Sequence, residues 1–437
     1  MPSDCDSYQE VFDTYTDCNF WYVKDVVKAL QQLTEWHRKQ FNMPVVGITG
    51  SNGKTIVKDW IVQMLSSTKN VVSSPKSFNS QIGVPLSVWQ MTADHDIAVF
   101  EAGISEPGEM DNLKHVIHPT IGIFTNIGQA HDENFLTRQQ KIAEKLTLFT
   151  HCEVLIYCTD HKDIHNVILE RESMRELNRY TWGSSEDNPV CLKQTSVENK
   201  STRLTICHNG NTFDAIIPFI DRASVENAMH CITLMLYLGY DYEVIATWCL
   251  HLNAVAMRLE MNEGINNCLL INDSYSLDIN SLTIALEYLQ REQQHFKKTL
   301  IISDFMQTGI PDEELYTQVA NLIAQRNVSK LIGIGSALFR NKDRFENIEG
   351  YFYQSTEEFL NEYDFSDFQS EAILLKGARI FSFENIARLL QRKSHETIME
   401  VNLDALIRNL NVYRSKIKPT TKLMAMVKAS SYGAGKV

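Results

Sequence analysis

The sequence predicts an α/β protein in which a phosphate-binding (P-loop) central domain with a mostly parallel sheet is followed by a second, Rossmann-like α/β domain. Three observations lead to this prediction. A β-branched run at 45–49 enters a glycine-rich turn, and a helix with apolar residues at 3.6-residue spacing follows. The runs 96–103 and 120–128 have the continuous apolar character of buried parallel strands. After residue 256, strands and helices alternate again, as in a second α/β unit.

The composition is that of an ordinary globular protein and narrows the possible functions. The 437 residues are enough for two or three domains, with 44% hydrophobic and 22% charged residues. A net charge of −13 argues against a nucleic-acid-binding surface. The nine cysteines form no Cys-x-x-Cys pair and are odd in number, which indicates reduced thiols. Because there is neither a membrane-spanning apolar run nor a signal peptide, we expect a cytoplasmic protein that does not insert into a membrane.

The glycine-rich turn, Thr-Gly-Ser-Asn-Gly-Lys-Thr, has the features of a phosphate-binding loop. Its backbone N–H groups can surround phosphate oxygens, Lys54 can reach the β- and γ-phosphates, and the Thr55 hydroxyl can ligate Mg²⁺. The strict Walker pattern is absent, because Ile48 stands where that pattern requires a glycine. The candidate nucleotide-binding residues of this loop are Gly50, Ser51, Asn52, Gly53, Lys54 and Thr55.

The variant spacing of this loop resembles the ATP loop of the Mur ligases, the amide-forming enzymes of peptidoglycan precursor synthesis. The segments Asn-x-x-x-Gly-Val-Pro-Leu at 79–86 and Gly-Ile-Ser-Glu-Pro-Gly-Glu-Met at 103–110 are similar to the MurF-type members. The resemblance implies ATP- and Mg²⁺-dependent joining of D-alanyl-D-alanine to UDP-MurNAc-tripeptide through an acyl phosphate. Two alternatives stay open: a sister ligase such as folylpolyglutamate synthase, and an ATP-binding fragment without turnover.

Further candidates for the catalytic site, besides Lys54, follow the loop in sequence. Glu101 ends the run 96–103, and ligands of α/β sheets bind at the carboxyl ends of strands, so its carboxylate can face a metal. The block Thr-Asn-Ile-Gly-x-Ala-His is similar to the Mur segment whose histidine, here His131, holds a second Mg²⁺. The resemblance also implies a lysine carbamoylated by CO₂ as a metal ligand; Lys145 matches the register, and Lys141 is the weaker candidate. The alternatives are a solvated strand-end glutamate, a structural histidine and a charged helix face.

Three residues are candidates for nucleotide binding by the same resemblance. Asn227 matches the asparagine that reads adenine, although Ala223 and Ser224 replace the usual His-Asn before it. Arg258 resembles the arginine of Gly-Arg-x-Glu that meets the ATP phosphates, and Asp273 resembles the aspartate that contacts the ribose. A helix-capping asparagine and a surface arginine in a solvated pair are the alternative interpretations. The segment 376–379, Lys-Gly-Ala-Arg, resembles a carboxylate or phosphate clamp.

The end of the chain resembles another family. The segments 397–410 and 422–433 are similar to the start of alanine racemase, where a lysine forms the pyridoxal phosphate Schiff base and a tyrosine contacts the cofactor's phosphate. Lys428 and Tyr432 match these residues, which adds the start of a TIM barrel to the expected fold. Only nine residues follow Lys428 in the chain of 437, whereas a barrel needs roughly 200 or more. We therefore expect pyridoxal phosphate only in a full-length racemase, and no racemase activity from this chain.

These features divide the chain into four predicted parts. Residues 1–43 are the remnant of an N-terminal domain with a linker helix, and 44–255 are the central ATP-binding domain. Residues 256–393 are the Rossmann-like ligase domain, and 394–437 are the incomplete barrel. Mur ligases hold their UDP-sugar in an N-terminal domain, for which 43 residues are too few. Either the chain is truncated or the UDP-sugar is bound in an unusual way.

Overall fold

The computed structural model describes most of the chain up to residue 392 and little beyond it. The described residues are 18–128, 134–255, 257–291, 295, 297–306, 308–392, 410, 412–414, 416–418 and 421. One compact unit ends at Gln391, and a second begins at Arg392. The racemase-like residues Lys428 and Tyr432 lie outside the described residues, as does His131. In the described part of the chain, no helix has the length and apolar character needed to span a bilayer.

A six-stranded parallel sheet forms the centre of the first half. Its strands are β1 (Val45–Thr49), β2 (Val71–Ser73), β3 (Ile97–Glu101), β4 (Ile121–Phe124), β5 (Val154–Tyr157) and β6 (Asn178–Arg179). They lie in the order β2-β3-β1-β4-β5-β6, and every neighbouring pair is parallel. The strands β1, β3, β4 and β5 consist entirely of buried residues. Helices cover both faces of such a sheet, which explains the unbroken apolar runs in the sequence.

The helices of this half are α1 (Val26–Arg38), α2 (Lys54–Leu65), α3 (Gly83–Val88), α4 (Glu109–Ile117), α5 (Arg138–Leu146), α6 (Lys162–Glu170), α7 (Arg222–Tyr237) and α8 (Tyr242–Leu250). Successive side chains of a strand point to opposite faces, so the sheet contributes to two apolar cores. Val46 packs with Trp60 of α2 in one core, and Val45 packs with Met110 of α4 in the other.

A small four-stranded sheet lies between α6 and α7 in sequence. Its strands are β7 (Trp182–Gly183), β8 (Val190–Glu198), β9 (Ser201–His208) and β10 (Asn211–Ile217), in the order β10-β9-β8-β7. The sequence pattern over 150–215 predicts only short strands and polar turns. Helix α6 lies in this range, so the structure differs from the prediction here. Only Ile164 and Ile168 of that helix are buried. The helix therefore has too few apolar residues at helical spacing to be predicted from the sequence.

The second half contains another α/β layer. Its strands are β11 (Glu260–Glu263), β12 (Leu269–Asn272), β13 (Lys297–Ser303), β14 (Lys330–Ile334), β15 (Glu349–Tyr353) and β16 (Glu371–Lys376). Their order is β11-β12-β16-β13-β14-β15, and all neighbours are parallel except the β11–β12 pair. The helices are α9 (Ile279–Arg291), α10 (Asp312–Ala324), α11 (Ser336–Arg340), α12 (Thr356–Glu362) and α13 (Glu384–Leu390). This half has its own apolar clusters, built from residues 268–390.

Helix α1 is held against the first half mainly by polar contacts. Leu33 and Trp36, on the face that the apolar spacing predicts, are 39% and 61% exposed. Arg38 at the end of the helix is instead buried. Its guanidinium donates hydrogen bonds to the carbonyl oxygens of Ile117 at 2.9 Å and His118 at 3.0 Å, and to a third carbonyl nearby. The apolar stripe of α1 is thus only partly buried, and the buried Arg38 anchors the end of the helix.

Replacing Arg38 by alanine should lower the free energy of unfolding by about 2–4 kcal/mol, because buried carbonyl groups lose their donors. Urea unfolding followed by circular dichroism measures this change. Lys39→Ala is the matched control, since that side chain is 59% exposed and pairs only with Glu35; its effect should stay below about 0.5 kcal/mol. Equal effects of the two substitutions would contradict the role assigned to Arg38.

Candidate functional site

The phosphate loop joins the end of β1 to the start of α2. Gly50 and Gly53 have φ angles of 146° and 82°, in a region that other residues rarely adopt. A Cβ atom at residue 50 would lie 2.0 Å from Thr125 Oγ1, and one at residue 53 would lie 2.3 Å from Asn227 Oδ1. No side chain caps the start of α2, so its first backbone N–H groups are free to bind an anion. The loop therefore has the geometry that phosphate binding needs.

The residues after β4 hold this loop in place. Thr125 Oγ1 donates a hydrogen bond to the carbonyl oxygen of Asn52 at 2.6 Å. The backbone N–H of Ser51 donates to the carbonyl oxygen of Asn126 at 2.8 Å, and that of Asn52 donates to the Asn126 side-chain oxygen at 3.0 Å. In the sequence, this Thr-Asn block serves only to locate His131. The structure gives the block a second role, which is to shape the phosphate loop.

Glu101 is the last residue of β3 and is fully buried next to the start of α2. Thr55 Oγ1 donates a hydrogen bond to Glu101 Oε2 at 3.0 Å. The other oxygen, Oε1, has no hydrogen-bond partner among the described residues, although Lys58 Nζ lies 3.5 Å away. Burial raises the pKa of Glu101, while the charges of Lys58 and Lys54 act in the opposite direction. The alternative of a solvated strand-end glutamate is therefore wrong.

Three lysines meet beside the loop. Lys54 Nζ donates to the carbonyl oxygen of Gly50 at 2.7 Å, and burial lowers the pKa of Lys54 to about 8. Lys145 Nζ lies 3.4 Å from the same oxygen. Burial, with the charges of Lys54 and Lys141, holds the pKa of Lys145 well below its ordinary value. Lys141 Nζ donates to the carbonyl oxygen of Gly128 at 2.7 Å. Lys141 and Lys145 are 1% and 3% exposed, so the interpretation of a solvated helix face is wrong.

A first cavity, with a volume of about 540 Å³, lies between the two halves of the compact unit. Its walls include Lys54 and Lys145 from the first half and Arg258, Asp278 and Arg379 from the second half. The cavity is therefore rich in cationic groups, which suits a substrate with phosphate and carboxylate groups. Within the described residues, no cluster of three or more His, Cys, Asp or Glu side chains has the arrangement of a metal site.

Arg258 connects the two halves at this cavity. Its guanidinium carbon lies 4.2 Å from the ring centroid of Tyr275, and that of Arg379 lies 5.2 Å from the same centroid. Arg258 also donates a hydrogen bond to Ser276 Oγ at 3.1 Å. Stacking on a tyrosine ring restricts an arginine without using all of its donors. Arg258 is thus held within the molecule and is not a member of a solvated surface pair.

The second cavity has a volume of about 440 Å³ and adjoins the other side of the phosphate loop. The predicted nucleotide-binding residues Asn227, Arg258 and Asp273 all line it. Asp273 is buried and forms an ion pair with Lys376 at 2.8 Å. Burial raises the pKa of Asp273, whereas Lys376 acts in the opposite direction. The structure thus brings together residues that are far apart in sequence.

Two polar residues of this second cavity are not predicted from the sequence. His161 and Glu226 both line it, and His161 Nε2 lies 3.0 Å from Glu226 Oε1. The same oxygen accepts a hydrogen bond from the Asn126 side chain at 3.3 Å. The hydrogen bond with Glu226 raises the pKa of His161. No local signal reveals this pair, because its members are 65 residues apart in sequence.

Comparison with known proteins agrees with this geometry. The family model of the Mur ligase middle domain matches residues 48–235. The UDP-N-acetylmuramoyl-tripeptide–D-alanyl-D-alanine ligase of Bacillus subtilis is 28% identical over 378 residues, which are 84% of this chain and 80% of that protein. The chain is therefore similar to the Mur ligases over most of its length. The Escherichia coli ligase of the same description is 25% identical over 376 residues, which are 84% of this chain and 81% of the relative.

Solved structures show that this chain shares its fold with several ligases. MurF from Acinetobacter baumannii has a TM-score of 0.72 at 22% identity, covering 85% of this chain and 83% of that chain. MurF from Thermotoga maritima, in complex with ADP, has a TM-score of 0.68 at 21% identity over 84% of each chain. Folylpolyglutamate synthase from Mycobacterium tuberculosis has a TM-score of 0.66 at 11% identity, and the match covers 84% of this chain and 95% of that chain. The predicted α/β fold class is confirmed.

Gly53→Ala should weaken binding of a non-hydrolysable ATP analogue by at least about a hundredfold, because the new Cβ would displace the loop from Asn227. Isothermal titration calorimetry measures the affinity. Gly210→Ala is the control, since Gly210 also has a positive φ of 77° but has nothing within 4 Å of the added atom. Unchanged affinity in the Gly53 variant would show that the loop does not bind the phosphates.

Proposed function

We propose that this chain is a Mur ligase that joins D-alanyl-D-alanine to UDP-MurNAc-tripeptide in peptidoglycan precursor synthesis, with hydrolysis of ATP. The observation that carries this proposal is the 28% identity with the Bacillus subtilis ligase over 84% of the chain. The first cavity supports it, because Asn79, Ile82, Gly103 and Ser105 from the two MurF-like segments line that cavity beside the phosphate loop.

ATP would phosphorylate the terminal carboxylate of the tripeptide, and the amine of the dipeptide would then attack the acyl phosphate. The resulting tetrahedral intermediate expels phosphate as the amide forms. The protein's contribution is mainly to align the reactants and to stabilise negative charge. Lys54, the N-terminus of α2 and Arg258 would bind the phosphates from three sides. The nearness of Lys54 and Arg258 to one cavity supports these roles.

Thr55 and Glu101 fit a Mg²⁺ ion on the ATP phosphates. The buried Oε1 of Glu101 has no hydrogen-bond partner among the described residues, and the Thr55 hydroxyl adjoins the same carboxylate. Oxygen donors are the ligands that Mg²⁺ prefers, and a bound Mg²⁺ would neutralise charge that develops on the transferred phosphate. By family resemblance, His131 and a carbamoylated Lys145 would be further ligands. The buried position of Lys145 near Gly50 supports its part in this proposal.

The second cavity is the proposed position of the nucleoside part of ATP. Asn227 would contact the adenine, and Asp273 would contact the ribose. Asn227 lies against the glycine of the phosphate loop, so a base beside it would be close to phosphates in that loop. The ion pair with Lys376 uses Oδ2 of Asp273, and a ribose hydroxyl would approach this carboxylate from the cavity that Asp273 lines.

The domain boundaries that we propose follow the separate cores. The central ATP-binding domain comprises 44–255, and its apolar clusters draw on residues 45–252. The Rossmann-like domain comprises 256–393, with clusters from residues 268–390. The ATP site would then lie where these two domains meet.

Lys54→Ala should reduce phosphate release that depends on D-alanyl-D-alanine by at least about a hundredfold, because the phosphates lose a buried cation. The assay contains ATP, Mg²⁺ and UDP-MurNAc-tripeptide, and phosphate is measured with and without the dipeptide. Lys69→Ala, an exposed substitution just after α2, should have wild-type activity. Undiminished release by the Lys54 variant would rule out the assigned site.

Lys145→Ala should abolish ligation, and acetate should restore part of the activity if a carbamate normally supplies an oxygen ligand at this position. The rate is measured over a series of acetate concentrations. Lys141→Ala serves as the comparison, and acetate should not restore it. A fully active Lys145 variant would show that no carbamate on Lys145 is needed. Rescue of the Lys141 variant alone would assign the carbamate to Lys141.

Two other functions are tested by the same assay. A folylpolyglutamate synthase-like enzyme would release phosphate with a folate and glutamate instead of the peptidoglycan substrates. The fold alone does not separate the two, because their TM-scores of 0.72 and 0.66 are close. An ATP-binding fragment would bind the ATP analogue without phosphate release from any substrate pair.

A further inference from the structure

Asp278 is a buried carboxylate that the assigned roles do not use. It directly precedes α9, and its Oδ1 accepts a hydrogen bond from the backbone N–H of Ser281 at 3.0 Å. Asp278 is only 5% exposed and lines the first cavity. Its second oxygen, Oδ2, has no hydrogen-bond partner among the residues that the structure describes. Helix capping thus accounts for one oxygen of this side chain and leaves the other free for a ligand.

The surroundings of Asp278 indicate what that ligand is. The same cavity is lined by the cationic groups of Lys54, Lys145, Arg258 and Arg379. These groups suit phosphates and carboxylates, but they repel a positively charged group of a substrate. An ammonium group is therefore stable in this cavity only next to a carboxylate.

Glu109 and Asp278 are the carboxylates on the cavity wall, and they differ in what they already bind. Glu109 Oε2 accepts backbone N–H groups of Ser105 at 2.6 Å and Glu106 at 3.0 Å, on the first half of the molecule. Asp278 lies on the second half, as does Arg379, whose guanidinium stacks near Tyr275 and has no hydrogen-bond partner among the described residues. A free carboxylate and a free guanidinium on the same half match the two charged ends of a zwitterion.

We propose that Asp278 binds the α-ammonium group of the amine substrate and that Arg379 binds its carboxylate. The site would then select a zwitterionic amino acid or short peptide with a free amino terminus. This inference rests on the proposed ligase function, in which such an amine attacks an acyl phosphate. It adds the residue that holds the attacking amine in a cavity otherwise lined by cations.

Asp278→Asn tests the charge without removing the helix cap, because asparagine caps a helix as well as aspartate does. The Michaelis constant for D-alanyl-D-alanine should rise by roughly tenfold or more, while that for ATP should change by less than about twofold. Asp25→Asn is the matched control, since Asp25 caps α1 in the same way through the N–H of Lys28. Asp278→Ser, which also preserves a cap, provides a second variant if the first does not fold.

An inhibitor separates charge recognition from a structural effect. N-acetyl-D-alanyl-D-alanine keeps the carboxylate but has no ammonium group and cannot react. Its inhibition constant should be the same for the wild type and for Asp278→Asn. An equal rise in the inhibition constant and in the Michaelis constant for the free dipeptide would mean that the substitution merely distorts the cavity, and it would overturn the proposal.

The remaining outcomes distinguish this inference from the proposed function. If the wild-type chain shows no dipeptide-dependent phosphate release, the ligase function is wrong, and this inference is wrong with it. If the wild type is active and Asp278→Asn has an unchanged Michaelis constant for the dipeptide, only this inference is wrong. If the Michaelis constant for the dipeptide rises in Glu109→Gln but not in Asp278→Asn, the ammonium group is bound by Glu109 instead.

Discussion

The close packing of the phosphate loop against its neighbours is the constraint on which the rest of the site depends. Gly50 lies against Thr125 and Gly53 lies against Asn227, with no room for a Cβ atom at either glycine. The loop is consequently bound to the residues after β4 and to α7. This contact links the phosphate-binding end of the site to the cavity that Asn227 and Asp273 share. A change in the loop would therefore affect both cavities.

Without a ligand, the buried charges around this loop lower the stability of the folded protein. Burial lowers the pKa of both Lys54 and Lys145, and the charge of Lys141 acts in the same direction on each. Glu101 offsets part of this positive charge, but its own burial raises its pKa. A polyphosphate would supply the missing negative charge. Functional sites commonly sacrifice stability in this way, because the unfavourable charges favour binding of the substrate.

The meeting of the two halves explains how distant residues share one site. Arg258, near the start of the second half, stacks on Tyr275 and lines both cavities beside residues of the first half. Asp278 and Arg379 reach the first cavity from loops that follow β12 and β16. These loops are at the carboxyl ends of parallel strands, where α/β sheets bind their ligands. The second half thus contributes the groups that face the phosphate loop.

The sequence by itself determined the phosphate loop, the buried strands and the α/β class, because each depends on a local pattern of glycines or apolar residues. The resemblance to Mur ligases also singled out Glu101, Asn227 and Arg258, which the structure places beside the phosphate loop or its cavities. Their roles stay predictions, as do those of His131, Lys428 and Tyr432. Only the tertiary structure decided that Lys145 is buried instead of solvated, since burial depends on what packs against a helix. It also decided which carboxylate oxygens are free. Whether an oxygen is free depends on hydrogen bonds between residues that are far apart in sequence, and no local sequence pattern predicts such bonds.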